Sequence, residues 1–163
     1  MKHAMKQHPV KQLPNIIWWL GYGGLIPFFA LTMALLLDIS VPLPGDGKLG
    51  WWLAAYAAVV LSFIGAVHWG VALGMQDRLE ESELGKLLLF SVIPTLVAWF
   101  SLLLPTHLTL YVLAALIVFA YFADSVLLFR KLAPGYGRMR LHLTIIVALL
   151  LGASGVAVGD VVA

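Results

Sequence analysis

The sequence predicts an all-α integral membrane protein: a single bundle of five transmembrane helices, N-terminus cytoplasmic and C-terminus periplasmic. Three observations carry that expectation. The 163-residue chain is 62% hydrophobic and only 11% charged, with a mean hydropathy of +0.98, whereas a soluble domain carries about 25% charged residues. Five continuous apolar runs cover approximately residues 16–37, 50–74, 87–104, 108–129 and 141–158. Each has the roughly 17 to 25 residues that a helix needs to cross a hydrocarbon core of about 30 Å. Lysine and arginine, finally, are distributed very unevenly between alternate connections.

The runs are apolar throughout and lack the alternation of a barrel strand. Helices satisfy their own backbone in lipid, so the spans are expected to be helical. The connections are short, so residues 1–163 read as one membrane domain with no separate soluble domain.

The first span follows a basic leader, MKHAMKQHPVKQ. It resembles the start of a secretory signal, but the apolar run is too long and no small-x-small cleavage site closes it, which makes it an uncleaved anchor. Within it, LGYGGLIPF places Tyr22 at membrane depth, and Pro27 leaves the Gly23 carbonyl without its helical donor. The following loop, VPLPGDGKLG, contains Gly47-Lys48 but is not a phosphate loop. Pro42 stands where the first glycine is needed, and Leu49 where a hydroxyl must hold magnesium.

On the second span, Ser62, Ala66, Gly70 and Gly74 recur every four residues and end in GVALG; Gly155 and Gly159 make a second GxxxG on the fifth. Both stripes suit close helix approach, inside the bundle or at a dimer seam. His68, in SFIGAVHWGVAL, points away from the first stripe. The second loop, MQDRLEESELGK, is acidic but lacks the EF-hand spacing, so it reads as a solvated surface. The third span carries Ser91 and Pro94, whose ring frees the Phe90 carbonyl, and the fourth carries Tyr121 and Asp124.

Charge sets the orientation. Three lysines (Lys2, Lys6, Lys11) precede the first span; Lys48 is alone in the first loop; Arg78 and Lys86 follow in the second, none in the third, and Arg130, Lys131, Arg138 and Arg140 in the fourth. Alternate sides thus carry nine against one, and the positive-inside rule puts the N-terminus in the cytoplasm of a bacterial inner membrane, or in the matrix for a mitochondrial inner membrane. Trp18 and Trp19 sit at the expected inner boundary of span one, Trp51 and Trp52 at the outer boundary of span two, as headgroup anchors do. The pI near 9.0 is therefore a topology signal, with no nucleic acid implied.

His68 lies six residues before Gly74 and Asp124 six before Arg130, so each is expected about 9 Å from the inner boundary. An aspartate at mid-helix costs about 2.5 to 3.5 kcal/mol on insertion scales, so Asp124 is expected to face the bundle. A polar cluster of Tyr22, His68, Ser91, Tyr121 and Asp124 in the inner half follows, with Trp69 joining Tyr22 and His68 around an inner-leaflet pocket. The competing reading is hydrogen-bond glue between helices, worth roughly 0.6 kcal/mol per bond.

Chemistry beyond this is sparse. No cysteine is present, which removes disulfides and thiolate sites, and no metal site is expected. Ser-x-x-Lys, GxSxG and HExxH are absent from the spans, so no catalytic residues are assigned and no enzyme is expected. No cofactor is predicted. Haem or quinone stand as minor alternatives: His3, His8, His107 and His142 form no pair at helical spacing, and a bis-histidine haem would need His68 plus a second buried histidine.

Taken in order, LGYGGLIPF, SFIGAVHWGVAL, SVIPTLVAW, Asp124 and APGYGRMRLHLT resemble the successive signature segments of the transmembrane protein 69 family, also called domain of unknown function 3429. The similarity covers approximately residues 19–150, with His68, Trp69 and Gly70 its most specific part. An aromatic pair follows the fourth-loop proline in that family, whereas Pro134 here is followed by Gly135 and Tyr136. The resemblance implies a small inner-membrane bundle and supplies no reaction.

The functional expectation is an accessory or small-molecule- or lipid-binding membrane protein with an inner-leaflet polar cluster around His68 and Asp124. Its partners would be the lipid bilayer and a homo-oligomer or larger membrane complex. The alternative is a proton-coupled or ion or solute transporter using Asp124 and His68.

Overall fold

The computed structural model describes residues 13–44 and 48–160, without the Asp160 side chain. Lys2, Lys6, Lys11, His3, His8 and the basic leader lie outside the described residues, as does Gly47 of the first loop. The described residues form helices α1 (Asn15–Gly23), α2 (Leu25–Leu36), α3 (Leu49–Gly74), α4 (Glu81–Ser101), α5 (Thr106–Leu127) and α6 (Tyr136–Asp160), with one 3-10 turn at Gln76–Arg78. Among the described residues, five segments are long and apolar enough to cross a membrane, α1 and α2 together making the first, Asn15–Leu36.

The break in that first segment comes where the sequence weakens the ladder. Pro27 cannot donate, and Gly24 joins the two half-helices. A hydroxyl meets the break, since Tyr56 of α3 donates to the Gly24 carbonyl at 3.0 Å. This is one residue beyond the Gly23 carbonyl that the proline rule singles out.

Two helices begin earlier than hydropathy suggests. α4 starts at Glu81 instead of 87, because Glu81 and Glu83 suit the positive end of a helix dipole even outside lipid. α6 starts at Tyr136 instead of 141, which moves Arg138 and Arg140 from a loop into a helix. Between α5 and α6 the chain turns through Gly135, whose φ of 97° is the left-handed region that glycine enters without cost.

α5 packs along α6 and α3 along α4; α2 lies between α3 and α6, while α3 also meets α5. Phe28, Leu53, Leu61, Leu113, Ile117 and Leu151 fill the centre. Lipid is as apolar as these side chains, so tight packing and internal hydrogen bonds hold the helices, with little help from burial alone. Gly65 lets α3 lie against the Ser91 carbonyl of α4. Gly155 lets α6 lie on the Tyr111 ring, where an added Cβ would come within 2.8 Å. Ser154 of α6 donates to the Thr32 hydroxyl of α2 at 3.1 Å, and Thr109 donates to the Ser101 carbonyl at 2.7 Å, stapling the α4–α5 turn.

The expected small-residue stripe on α3 plays no part in this packing. Ser62, Ala66, Gly70 and Gly74 are all exposed, and a Cβ at Gly70 or Gly74 would touch nothing. Gly65, off that stripe, makes the contact because it faces α4. Gly155 does pack internally, while a Cβ at Gly159 would only reach ordinary contact with His107.

Candidate functional site

Asp124 stands in the last turn of α5 and is fully buried. Its carboxylate is met from two helices. Arg140 of α6 donates from Nε to Oδ2 at 2.7 Å, and its Nη2 lies 2.7 Å from the same oxygen. His68 of α3 approaches on the other side, Nε2 to Oδ1 at 3.3 Å. Only 2% of His68 and 6% of the Arg140 side chain are exposed. The three residues form a buried cation–carboxylate–imidazole row joining α6, α5 and α3.

The second nitrogen of His68, Nδ1, is 3.4 Å from the Ile64 carbonyl one turn earlier. Nε2 makes no hydrogen bond to Asp124 at that distance and angle, so a neutral ring donating from Nδ1 to the Ile64 carbonyl satisfies the one hydrogen bond that the imidazole makes among the described residues. Breaking a buried ion pair by removing one partner costs about 3 to 5 kcal/mol, so Arg140 is what makes Asp124 tolerable in the bundle.

Little space adjoins the His68 side. The gap between His68, Phe90, Pro94 and Ala120 holds about 10 Å³, at most one water by the usual requirement of roughly 10 to 15 Å³. The Arg140 side differs. A groove of about 570 Å³ runs between α1, the start of α2, α3 and α6, walled by Leu20, Leu25, Val60, Phe63 and Val67 among others, and floored by α6 from Tyr136 to Val147. Leu20 and Phe63 at its rim are exposed, so it opens sideways from the bundle. Arg140 and Thr144 are its buried polar lining, and the Thr144 hydroxyl, in a residue only 4% exposed, has no hydrogen-bond partner among the described residues.

Of the residues singled out by sequence, His68 and Asp124 come together. The others do not join them. Tyr22 bonds His142 Nδ1 at 3.0 Å and stacks on Trp18. Ser91 is spent on the Leu88 carbonyl of its own helix, and Tyr121 packs on Phe122 and Phe129. Trp69 is 47% exposed and faces outward, away from both cavities. The larger cavity is lined by neither Tyr22, His68 nor Trp69, correcting the pocket expected from sequence; α3 turns Trp69 out as it turns His68 in.

Arg140 is the residue that sequence reasoning missed, having been counted as a topology charge. A signal existed: an aspartate in lipid demands a cationic partner, and Arg140 is the arginine nearest the fifth apolar run.

The fold and this row define a multi-pass helical membrane protein with a buried ion pair beside a lateral groove. The chain belongs to the family DUF3429, a protein of unknown function, whose pattern matches residues 13–156. It is similar to Transmembrane protein 69 of Xenopus tropicalis, 31% identical over 103 residues, which cover 61% of this chain and 37% of that protein. The chain thus spans little more than a third of the length of that relative. No solved structure matches.

Proposed function

We propose that this protein binds a lipid-like molecule taken sideways from the bilayer into the groove between α1, α2, α3 and α6, and acts as an accessory or lipid-binding membrane protein. The supporting observation is Thr144: a buried hydroxyl without a partner among the described residues, set one turn from Arg140 in a mostly apolar groove of about 570 Å³. Small-molecule sites have this build, about 300 to 1,000 Å³ of mostly apolar wall with a few polar groups. The row of Arg140, Asp124 and His68 holds the floor of the groove rigid.

The charge distribution supports an orientation with Tyr136 and the start of α1 on the cytoplasmic or matrix side. With Arg140 withdrawn into the bundle, the sides still stand at eight (nine less Arg140) against one. The groove then belongs to the inner leaflet. Transport through Asp124 and His68 has less support, because Asp124 is closed off and the adjoining gap is no larger than a water.

The test is to purify the protein in mild detergent, extract what it carries and identify it by mass spectrometry, beside a Val60→Trp variant whose larger ring fills the groove. A lipid held at one per chain by the wild type and lost from the variant is expected. Equal retention by both would remove the groove as the binding site.

A further inference from the structure

Tyr136, Arg140 and Thr144 recur every four residues along α6, and all three line the groove. One face of α6 thus presents phenol, guanidinium and hydroxyl at steps of about 6 Å, from the end of the span towards its middle. Each can donate a hydrogen bond. The opposing walls from α1, α2 and α3 are apolar, except for Tyr56, whose hydroxyl donates to the Gly24 carbonyl.

The charge of the middle donor is already answered. Asp124 Oδ2 holds the Nε edge of Arg140 at 2.7 Å, and no other described side chain accepts from that guanidinium. It has five N–H groups, so donors remain after Asp124 is satisfied, without net charge to offer. An anionic head placed there would leave two negative charges sharing one arginine inside lipid, a heavily disfavoured arrangement. An uncharged acceptor meets no such opposition, and it supplies what the Thr144 hydroxyl lacks.

Resting on the lipid-binding reading above, we infer that the occupant is a neutral amphiphile whose head carries a carbonyl oxygen. That oxygen accepts from Thr144 and from the outward N–H groups of Arg140, while the tail lies between Leu20 and Phe63. Two membrane sources have this chemistry: an isoprenoid quinone, through its ring carbonyl, and an acyl glycerol, through its ester.

The experiment is a titration of the delipidated full chain, followed by native mass spectrometry, with a short-chain ubiquinone, dioctanoylglycerol and decanoate. Wild type, Thr144→Val, Thr144→Ser and Val60→Trp are compared. One or both neutral ligands should bind at one per chain and at least tenfold more tightly than decanoate. Thr144→Val should weaken that binding roughly two- to tenfold, the worth of one hydrogen bond, and Thr144→Ser should restore it. Which neutral ligand binds identifies the source.

Decanoate binding as tightly as the neutral ligands, or a Thr144→Val variant that binds like wild type while Val60→Trp does not bind, overturns the head-group inference and leaves the groove standing. Binding of all three ligands unaffected by Val60→Trp, or no binding of either neutral ligand, overturns the inference; the first of these also removes the groove.

Discussion

Arg140 donates to Asp124 across the α5–α6 contact, Nε to Oδ2 at 2.7 Å, with 6% and 0% of the two side chains exposed. Each residue would be untenable in lipid alone, and each is made tolerable by the other. The pair also binds the end of α5 to the start of α6, where the chain has just turned through Gly135.

Asp124→Asn keeps the shape and removes the charge, leaving Arg140 buried without a counter-ion. The expected loss is about 3 to 5 kcal/mol of stability, read from unfolding in detergent. Replacing both, Asp124→Leu with Arg140→Met, should recover most of it, because two apolar groups need no partner. A double variant as unstable as Asp124→Asn would show that the pair is not what the single change disrupts.

His68→Phe removes the longer of the two contacts, 3.3 Å, and fills the same space. Asp124 keeps Arg140, so the expected cost is about 1 to 3 kcal/mol, below that of Asp124→Asn in the same assay. A loss equal to that of Asp124→Asn would instead make the imidazole the principal partner of the carboxylate.

Gly65→Ala and Gly70→Ala separate the helix face that packs from the one that does not. A Cβ at Gly65 runs into the Ser91 backbone, which cannot move aside as a side chain can, whereas a Cβ at Gly70 meets nothing. Thermal unfolding should show Gly65→Ala destabilised by about 1 to 3 kcal/mol and Gly70→Ala within about 0.5 kcal/mol of wild type or slightly more stable.

Tyr22→Phe deletes the hydroxyl that bonds His142 at 3.0 Å and ties α1 to α6. α1 buries none of its residues, so little else holds it. Amide exchange across Asn15–Gly23 should quicken roughly two- to tenfold, with α5 unchanged. Unaltered exchange would assign the hold on α1 to the Gly21–Met139 contact instead.

Membrane residence and the number of spans follow from the sequence itself, because a continuous apolar run of such length has one stable form in lipid. The need for a partner to Asp124 was legible for the same reason, since a carboxylate at that depth is too costly to stand alone. His68 was legible as one neighbour, but the cationic partner, Arg140, was not. Hydropathy begins the fifth span at Leu141, after the last arginine, whereas the helix begins at Tyr136 and carries Arg140 into the bundle.

Only the tertiary structure decided which glycines are contacts. The four-residue stripe and Gly65 lie on one helix, and periodicity does not say which face meets α4. It decided, too, that Tyr22 turns to His142 and that the usable cavity lies beside Arg140 and away from His68. Composition and period fix what a segment is and where it lives. Which of its faces is matched by another helix, and what space is left between them, depends on how five helices divide a shared interior.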